Sequence, residues 1–521
     1  MQREFNVTGL CVPHKHYMVD ISNKIEQIKE LIDKEHYFTI NRARQYGKTT
    51  TLSVLGRILQ DDYTVISLTF EGLGVEHFTT PNKFCQKFIA HISKALRFTN
   101  ETKEYRESWK NSDVIDFDTL SDHITDMCEN KKLVLIIDEV DKISNNQVFL
   151  DFLSMLRKKY LAAQDNRDFT FHSVILAGVY DIRNLKWKIK LAEDGEAKSS
   201  TPVLNSPWNI AVNFTVDMSF NPAEIKTMLV SYESDYKLGM DLEYIAEEIH
   251  KYTSGYPFLV SRICQCIHRE LNRDWSTNGI QKAIKIIQEE KSTLFDDLYK
   301  NLNNNQHLSQ LIKRLLLGGE KFSYNQGIAE IDLGTRYGYF SRDLERGLVI
   351  SNKIFEILLI EYFVDLNKIN GELPIITSVR DEFIQDGKFN MQACLERFFE
   401  YYPRIYSEKS AEFLEREGLL IFLMLLIPAL NGKGFHYLES QTRNEERIDL
   451  IITYGDEEFI IELKKWRGIK KHEAAYTQLH NYLEARDADT GYLLTFDFRK
   501  KKQPKIGWIE YEGKNIFDVV V

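Results

Sequence analysis

Apolar and polar positions alternate over the first two hundred residues in a repeating order of helical and extended segments. Polar Ser22-Asn23 precede Ile25, Ile28, Leu31 and Ile32. That spacing predicts a capped helix with one apolar face. Residues 37–40 form a short apolar run, read as a buried strand, and Leu52, Leu55, Ile58 and Leu59 return to helical spacing. Residues 65–70 read as a strand and residues 84–96 as a helix. Residues 133–137 (Leu-Val-Leu-Ile-Ile) contain no polar side chain, the pattern of a central parallel strand covered on both faces. Residues 172–177 and 210–216 read as further strands. Strands alternating with helices predict an α/β fold with a parallel sheet.

From residue 221 to about residue 302 the pattern turns helical. The polar run 301–306 (Asn-Leu-Asn-Asn-Asn-Gln) predicts a loop or boundary. Residues 308–363 read as a small winged-helix element, with a helix over 311–317 and a wing strand at 348–355 running into another helix. Gly371-Glu372-Leu373-Pro374 marks a second boundary. The expected divisions are therefore 1–218, 219–302, 303–370 and 371–521. The most apolar run, 419–430, is too short to span a bilayer and contains Pro428, so it predicts a buried helix rather than a membrane segment.

At 521 residues the chain is too long for one core. Its 43% hydrophobic and 28% charged content is that of a soluble globular protein. A net charge of −10 excludes a global positive field, so any nucleic-acid contact must come from local basic patches. The six cysteines show no CxxC or zinc spacing, and the N-terminus has no signal-peptide core. Reduced thiols and a cytoplasmic location are the expectation.

A phosphate-binding loop needs backbone N–H groups facing the phosphates, a helix N-terminus behind them, a lysine, and a hydroxyl for Mg²⁺. Gly47-Lys48-Thr49 lies between a predicted strand and a predicted helix, the context that gives this motif meaning. The usual pattern has glycine at position 42, and this chain has Arg42. The second half is Asp138-Glu139, at the end of the apolar strand 133–137. There an aspartate reaches the Mg²⁺ shell and a glutamate polarises the attacking water. Both halves in order predict ATP binding, with Thr49 and Asp138 as metal-shell residues and Glu139 as general base.

The stretch Arg42-Ala43-Arg44-Gln45-Tyr46-Gly47-Lys48-Thr49-Thr50 resembles the glycine-poor phosphate loop of divergent AAA-like ATPases, whose pattern runs Arg-Pro-Arg-Arg-Phe-Gly-Lys-Thr. Asp138-Glu139-Val140-Asp141 is similar to their Asp-Glu-Tyr-Asp. The resemblance spans roughly the first 370 residues and implies that Arg42, Arg44, Gln45, Tyr46, Gly47, Lys48, Thr49 and Thr50 contact the nucleotide. It departs from the family at Ala43 and Val140. Gly255-Tyr256-Pro257 resembles the Gly-x-Pro turn in the helical lid of signal-transducing ATPases, which implies Pro257 near the adenine. No Asn or Thr stands where this family carries its γ-phosphate sensor, and Arg183 is the nearest cation.

At the other end, residues 447–464 read as a hairpin with a Gly455-Asp456 turn. Asp449 lies near the start of its first strand. Glu462 and Lys464, two apart on the second strand, share a face. Carboxylates converging with a lysine suit metal-dependent phosphodiester hydrolysis. Ile460, Ile461 and Leu463 leave no clean alternation, so the strand reads as buried, and a buried strand needs a reason for its charges. Arg447-Ile448-Asp449 and Glu462-Leu463-Lys464 resemble the PD-(D/E)XK nuclease superfamily, over about residues 374–521. The resemblance implies that Asp449 and Glu462 bind metal and that Lys464 orients water or stabilises charge. It further implies that Gln478 on a following helix joins the site and that Glu439 supplies a further acid, with Glu417 a second choice. Lys464-Lys465-Trp466-Arg467, Lys470-Lys471-His472 and Arg499 to Lys502 with Lys505 surround this module, with Trp466 available for stacking.

Together these features predict a P-loop NTPase parallel sheet with a helical lid, a winged-helix element and a C-terminal α/β nuclease-like domain. The expected function is an ATPase that gates a nuclease using Mg²⁺ or Mn²⁺ and acting on DNA, with RNA left open and with a role against foreign DNA as a hypothesis. A homo-oligomer is expected and no membrane partner. The alternative is an ATP-driven signalling scaffold whose C-terminal domain binds without cutting.

Overall fold

In a computed structural model, residues 3–110, 113–140, 146–179, 207–316, 321–344, 347–369, 383–385, 388–405, 422–423, 425–426, 430, 434–437, 450–454, 457–499 and 503–521 are described. Two compact units share them, and each is taken by itself: residues 1–265 with 336–338, and residues 266–335 with 339–521.

The first unit is built on a parallel sheet of β1 (Phe38–Asn41), β2 (Thr64–Thr69), β3 (Leu133–Asp138) and β4 (Ser173–Gly178), in the order β1-β4-β3-β2. Every residue of β3 and β4 is buried. The reason is visible in the two cores: Leu133, Leu135 and Ile137 join one apolar cluster, while Val134 and Ile136 join another. Successive side chains of a strand point to opposite faces, so a strand with helices on both sides is apolar along its length, with polar side chains only at the ends, Asp138 of β3 and Ser173 of β4. Helices Pro81–Ala95, Phe117–Cys128 and Gln147–Gln164 cover one face, and Ser22–Asp33 and Lys48–Leu59 cover the other.

Two local expectations need correction. Ser22 is not a cap: it opens the helix, and Asp20 Oδ1 accepts from its backbone N–H at 2.9 Å and its hydroxyl at 2.5 Å. The predicted strand 210–216 is reduced to a single parallel bridge, Phe38↔Val212. That segment is held instead by Phe214 stacked on Phe38 at 5.8 Å, so apolar spacing reflected side-chain packing rather than a ladder. Beyond it come helices Pro222–Tyr236 and Leu242–Thr253, the first with a reciprocal cap between Asn221 and Glu224.

In the second unit helices follow one another closely. The loop expected at 301–306 is helical as far as Asn304, and a new helix starts at Gln306. Leu294, Leu298 and Leu302 are buried at a four-residue spacing, and this burial overrides the weak helix propensity of the asparagines. An antiparallel hairpin of β5 (Phe340–Asp343) and β6 (Gly347–Ile350) leads into helix Lys353–Ile369. The boundary expected at 371–374 lies outside the described residues. A small hairpin of β7 (Ile384–Gln385) and β8 (Lys388–Phe389) precedes helix Met391–Ile405. Of the apolar run 419–430, Phe422, Leu423, Leu425, Leu426 and Leu430 are described and buried.

The chain ends in a mixed sheet of β9 (Gly434–Tyr437), β10 (Leu450–Tyr454), β11 (Glu457–Lys465), β12 (Thr490–Phe496), β13 (Lys505–Tyr511) and β14 (Lys514–Val520), in the order β13-β14-β12-β11-β10-β9. The predicted hairpin is β10–β11, paired from Leu450↔Ile461 to Tyr454↔Glu457. Strand β11 also pairs in parallel with β12, and β12 with β14. Helix Ile469–Ala485 makes the crossover from β11 to β12 and buries Ala475, Tyr476, Leu479 and Leu483 against Ile460, Leu493 and Ile516. No helix among the described residues is long and apolar enough to cross a membrane.

Candidate functional site

The turn between β1 and helix Lys48–Leu59 takes the shape of a phosphate loop. Gly47 sits at φ +77 and Gln45 at φ +56, two left-handed positions that fold the chain back over the helix N-terminus. Lys48 is buried, and its Nζ donates to the carbonyls of Arg42 (2.9 Å) and Ala43 (3.0 Å). Thr49 Oγ1 donates to Asp138 Oδ2 at 2.8 Å, so the hydroxyl at the helix start and the acid at the tip of β3 are already joined. The Glu139 N–H donates to the other oxygen, Oδ1, at 2.9 Å. Glu139 itself has φ +59, a strained backbone conformation just past the end of the strand. A cavity of about 420 Å³ borders Thr49 and Asp138.

Arg42, the departure from the usual glycine, is tied down locally. Its Nη2 donates to the Val216 carbonyl at 2.7 Å, and its guanidinium lies 5.3 Å from the Phe214 ring centroid. Arg44 is exposed. Thr50 Oγ1 accepts from the Cys11 N–H at 3.3 Å, which brings the N-terminal segment to the loop.

The Gly255-Tyr256-Pro257 turn lies against the same loop. A Cβ added at Gly47 would stand 3.8 Å from that of Pro257. Tyr256 reaches the loop twice: its hydroxyl donates to the Arg44 carbonyl at 2.6 Å, and its ring meets Tyr46 edge-on at 4.7 Å. Sequence reasoning named Pro257 and missed Tyr256, whose signal was only its place between the two flagged residues. It also missed Gly338. This glycine has φ +77, and a Cβ there would stand 2.7 Å from the Ala43 Cβ and 3.6 Å from the Tyr256 ring. The family's proline has become Ala43 at the point of that close approach.

In the C-terminal sheet, Glu462 is fully buried, and the Lys464 Nζ lies 2.5 Å from its Oε1. Lys464 and Gln478 line one cleft of about 350 Å³, together with Lys465, Arg467, Lys471 and Thr495. The cleft opens at the carboxyl ends of β11 and β12, beside the start of helix Ile469–Ala485, where α/β sheets commonly bind ligands. Trp466, expected to be available for stacking, already has Arg499 4.7 Å from its ring centroid and His472 at 5.0 Å. Asp449, Glu439, Glu417, Arg447, Arg183 and Lys500 to Lys502 lie outside the described residues, as does Asp141. Among the described residues no group of three His, Cys, Asp or Glu side chains forms a metal cluster. All six cysteines are free thiols, five of them buried.

Comparison with known proteins agrees with both ends of the chain. A family model described as AAA-like domain matches residues 14–330, and one described as PD-(D/E)XK nuclease superfamily matches residues 434–506. No curated protein matches. Among solved structures, a Walker-type ATPase of Pyrococcus abyssi aligns at 13% identity over 68% of this chain and 99% of its own, with a TM-score of 0.46. The ORC2 protein of Aeropyrum pernix in its ADPNP-ADP complexes aligns at 13% identity over 68% of this chain and 96% of its own, with a TM-score of 0.39. The ORC1 protein of Aeropyrum pernix in complex with DNA aligns at 10% identity over 90% of this chain and 94% of its own, with a TM-score of 0.31. Since the first family model covers more than half of the 521 residues, this chain belongs to the AAA-like family, and it carries a C-terminal domain of the PD-(D/E)XK nuclease superfamily.

Proposed function

We propose that the chain is an ATP-binding and ATP-hydrolysing protein that controls a metal-dependent nuclease acting on DNA. The observation that carries the nuclease half is the burial of Glu462 with Lys464 at 2.5 Å, where Lys464 in turn lines a basic cleft. A fully buried carboxylate on a central strand is expensive for stability alone. It is sensible where the charge is used.

For the ATPase half, the loop residues 42–50 would hold the phosphates. Lys48 now donates to two loop carbonyls, an arrangement it exchanges for phosphate oxygens when nucleotide binds. Thr49 and Asp138 are the residues that would hold Mg²⁺, since their side chains already meet at 2.8 Å. Bound there, the ion supplies charge neutralisation for the phosphates. Glu139 would polarise the attacking water, and Pro257 and Tyr256 would close the loop from the lid side.

For the nuclease half, Glu462 would hold the metal together with Asp449 and Glu439. Asp449 immediately precedes Leu450, which pairs with Ile461, the neighbour of Glu462. Lys464 would orient the water or stabilise developing negative charge, and Gln478 would position the substrate from the helix. The divisions 1–218, 219–302, 303–370 and 371–521 are the proposed functional segments, and a homo-oligomer in the cytoplasm is the proposed working form. Defence against foreign DNA fits this pairing of activities.

The test is incubation of the full chain with Mg²⁺ and linear, circular or single-stranded DNA, with and without ATP, beside Asp449→Ala and Lys464→Ala. Cutting by the wild type alone supports the reading. Equal activity in all three, or none in any, sinks it.

A further inference from the structure

The cleft that Lys464 lines is small, and its walls are fixed. Its helical wall is Lys471, Ala474, Ala475 and Gln478, at the i, i+3, i+4, i+7 spacing that puts side chains on one helix face. From Lys471 to Gln478 that wall is about 10 Å long. Two ties hold the helix to the sheet. Near its start, the fully buried Asp518 of β14 accepts from Tyr476 Oη at 2.8 Å and Lys505 Nζ at 3.1 Å, with His472 Nε2 at 3.2 Å. The other ring nitrogen of His472 lies 3.3 Å from Thr495 Oγ1. Near its end, a Cβ added at Gly491 of β12 would stand 2.9 Å from Leu483 Cδ1 and 3.1 Å from Leu479 Cδ1. A satisfied polar cluster and close apolar packing resist displacement, so the cleft keeps its width.

The charges indicate what enters. Lys464, Lys465, Arg467 and Lys471 line the cleft, and no carboxylate does. Among the described residues neither Arg467 nor Lys471 has a carboxylate in ion-pair reach. Elsewhere on the domain cations are paired, Arg486 with Glu458 and Lys514 with Glu484 and Asp489. Unpaired cations around one cleft, in a chain of net charge −10, suit a polyanion.

The size indicates in what form. Glu462 has no exposed surface and is reached past Lys464, so a phosphodiester must enter the cleft to approach it. The cleft holds about 350 Å³, the low end of small-molecule sites. One strand can pass through such a space, and a base-paired partner strand has no room beside it. Ala474 is exposed on the helical wall and leaves the clearance that a backbone needs.

We propose that the cleft takes DNA as a single strand, with Arg467 and Lys471 on its phosphates and Ala474 as the clearance for its backbone. That this strand is the one to be cut rests on the nuclease reading; the binding does not.

Paired titrations test the assignment. The full chain, with Ca²⁺ replacing Mg²⁺, is titrated onto a fluorescent oligothymidine and onto a blunt duplex of the same length, across a fourfold range of KCl. Each neutralised phosphate of a single strand contributes about 0.7 to the slope of log K against log salt. Lys471→Gln should flatten the single-strand slope by about 0.7, so that its affinity relative to wild type shifts about 2.6-fold across the range. Lys471→Arg should restore the slope. Ala474→Leu keeps the charge and fills the clearance, and leucine suits an exposed helix position. It should weaken single-strand binding about tenfold, on the scale of one lost base contact. Neither substitution should change duplex binding. Equal losses on both DNAs, or unchanged single-strand binding in both variants, overturn the proposal. If Ala474→Leu does not fold, Lys471→Gln decides alone. Cleavage in Mg²⁺ by wild type and Lys464→Ala runs in parallel. Losses confined to the single strand without any cutting support the proposal and refute only the nuclease reading. Cutting that needs Lys464, with equal losses on both DNAs, refutes only the proposal. Absence of single-strand binding by the wild type also overturns it, and the cleavage comparison then judges the nuclease reading by itself.

Discussion

Replacing Glu462 by glutamine should cost activity and add stability. The Glu462 side chain has no solvent exposure, while its partner Lys464 keeps 28% of its side-chain surface in water. The effective penalty for burying a carboxylate is several kcal/mol, and removing one member of a buried pair is costly only where the remaining charge stays out of water; Lys464 is partly exposed and can turn to solvent. Glutamine keeps the shape and drops the buried charge, but its amide still needs partners, so the expected net gain is small, about 1–2 kcal/mol. On a domain of roughly 150 residues that raises Tm by about 2–8 °C. Calorimetry of wild type and Glu462→Gln in chelator reads this directly. Repeating it in Mg²⁺ adds a second signature: the metal should raise the wild-type C-terminal transition by mass action and leave that of the variant in place. Cleavage should fall by about 100-fold or more, the scale on which a preorganised charged group acts in a transition state. A lower Tm for the variant in chelator, with cutting retained, would mean that Glu462 is part of a structural ion pair, and would refute the argument from burial.

Other expectations follow from the same geometry. Tyr256→Phe removes the 2.6 Å hydrogen bond to the Arg44 carbonyl, worth about 1 kcal/mol. ATP affinity, read by fluorescent-nucleotide titration, should weaken about fivefold, and an unchanged Kd would remove the turn from the nucleotide site. Gly338→Val forces a branched side chain into φ +77 and against Ala43, at a cost of at least about 1–2 kcal/mol. Nucleotide binding should weaken by about tenfold or more, and full retention would mean that this contact does not bear on the loop. Burial pushes the Asp518 carboxyl upward, but the hydrogen bond and charge of His472, then Tyr476 and Lys505, outweigh it and hold the group below its ordinary value of 3.8. A depressed folded value gives stability that is present above the unfolded pKa and lost as pH falls through the folded one. Acid titration by circular dichroism should therefore show wild type losing stability below about pH 4, with a flatter profile in Asp518→Asn. Identical profiles would contradict the assigned partners.

The parts of the fold legible in the sequence were those fixed by one-dimensional periodicity. Strand β3 was readable because a strand covered on both faces stays apolar up to its tip, and the Gly47-Lys48-Thr49 turn because it stands between a strand and a helix. The hairpin β10–β11 was readable from two apolar runs around a turn. Spacing failed where tertiary contacts outweighed it. Leu294, Leu298 and Leu302 carry a helix through a stretch of asparagines that reads as a loop, and Phe214 packs on Phe38 without extending the ladder. The same holds at the sites. Glu462 and Lys464 could be paired because they lie two apart on one strand. His472, Thr495 and Asp518 come from a helix and two strands, and no local spacing brings them together. Gly338 lies almost three hundred residues from Ala43, and only the folded chain explains its need for glycine.

Coupling between the two chemistries is the central claim, and nuclease assays of matched single-site variants test it most directly. Wild type, Lys48→Ala and Lys464→Ala are incubated with DNA and Mg²⁺ with and without ATP, while ATP hydrolysis is followed in the same tubes. The account predicts that ATP changes the cutting rate of the wild type. Lys48→Ala should bind no ATP and lose that response, and Lys464→Ala should hydrolyse ATP without cutting. Cutting that is indifferent to ATP and to Lys48→Ala, or cutting that survives Lys464→Ala, would contradict it.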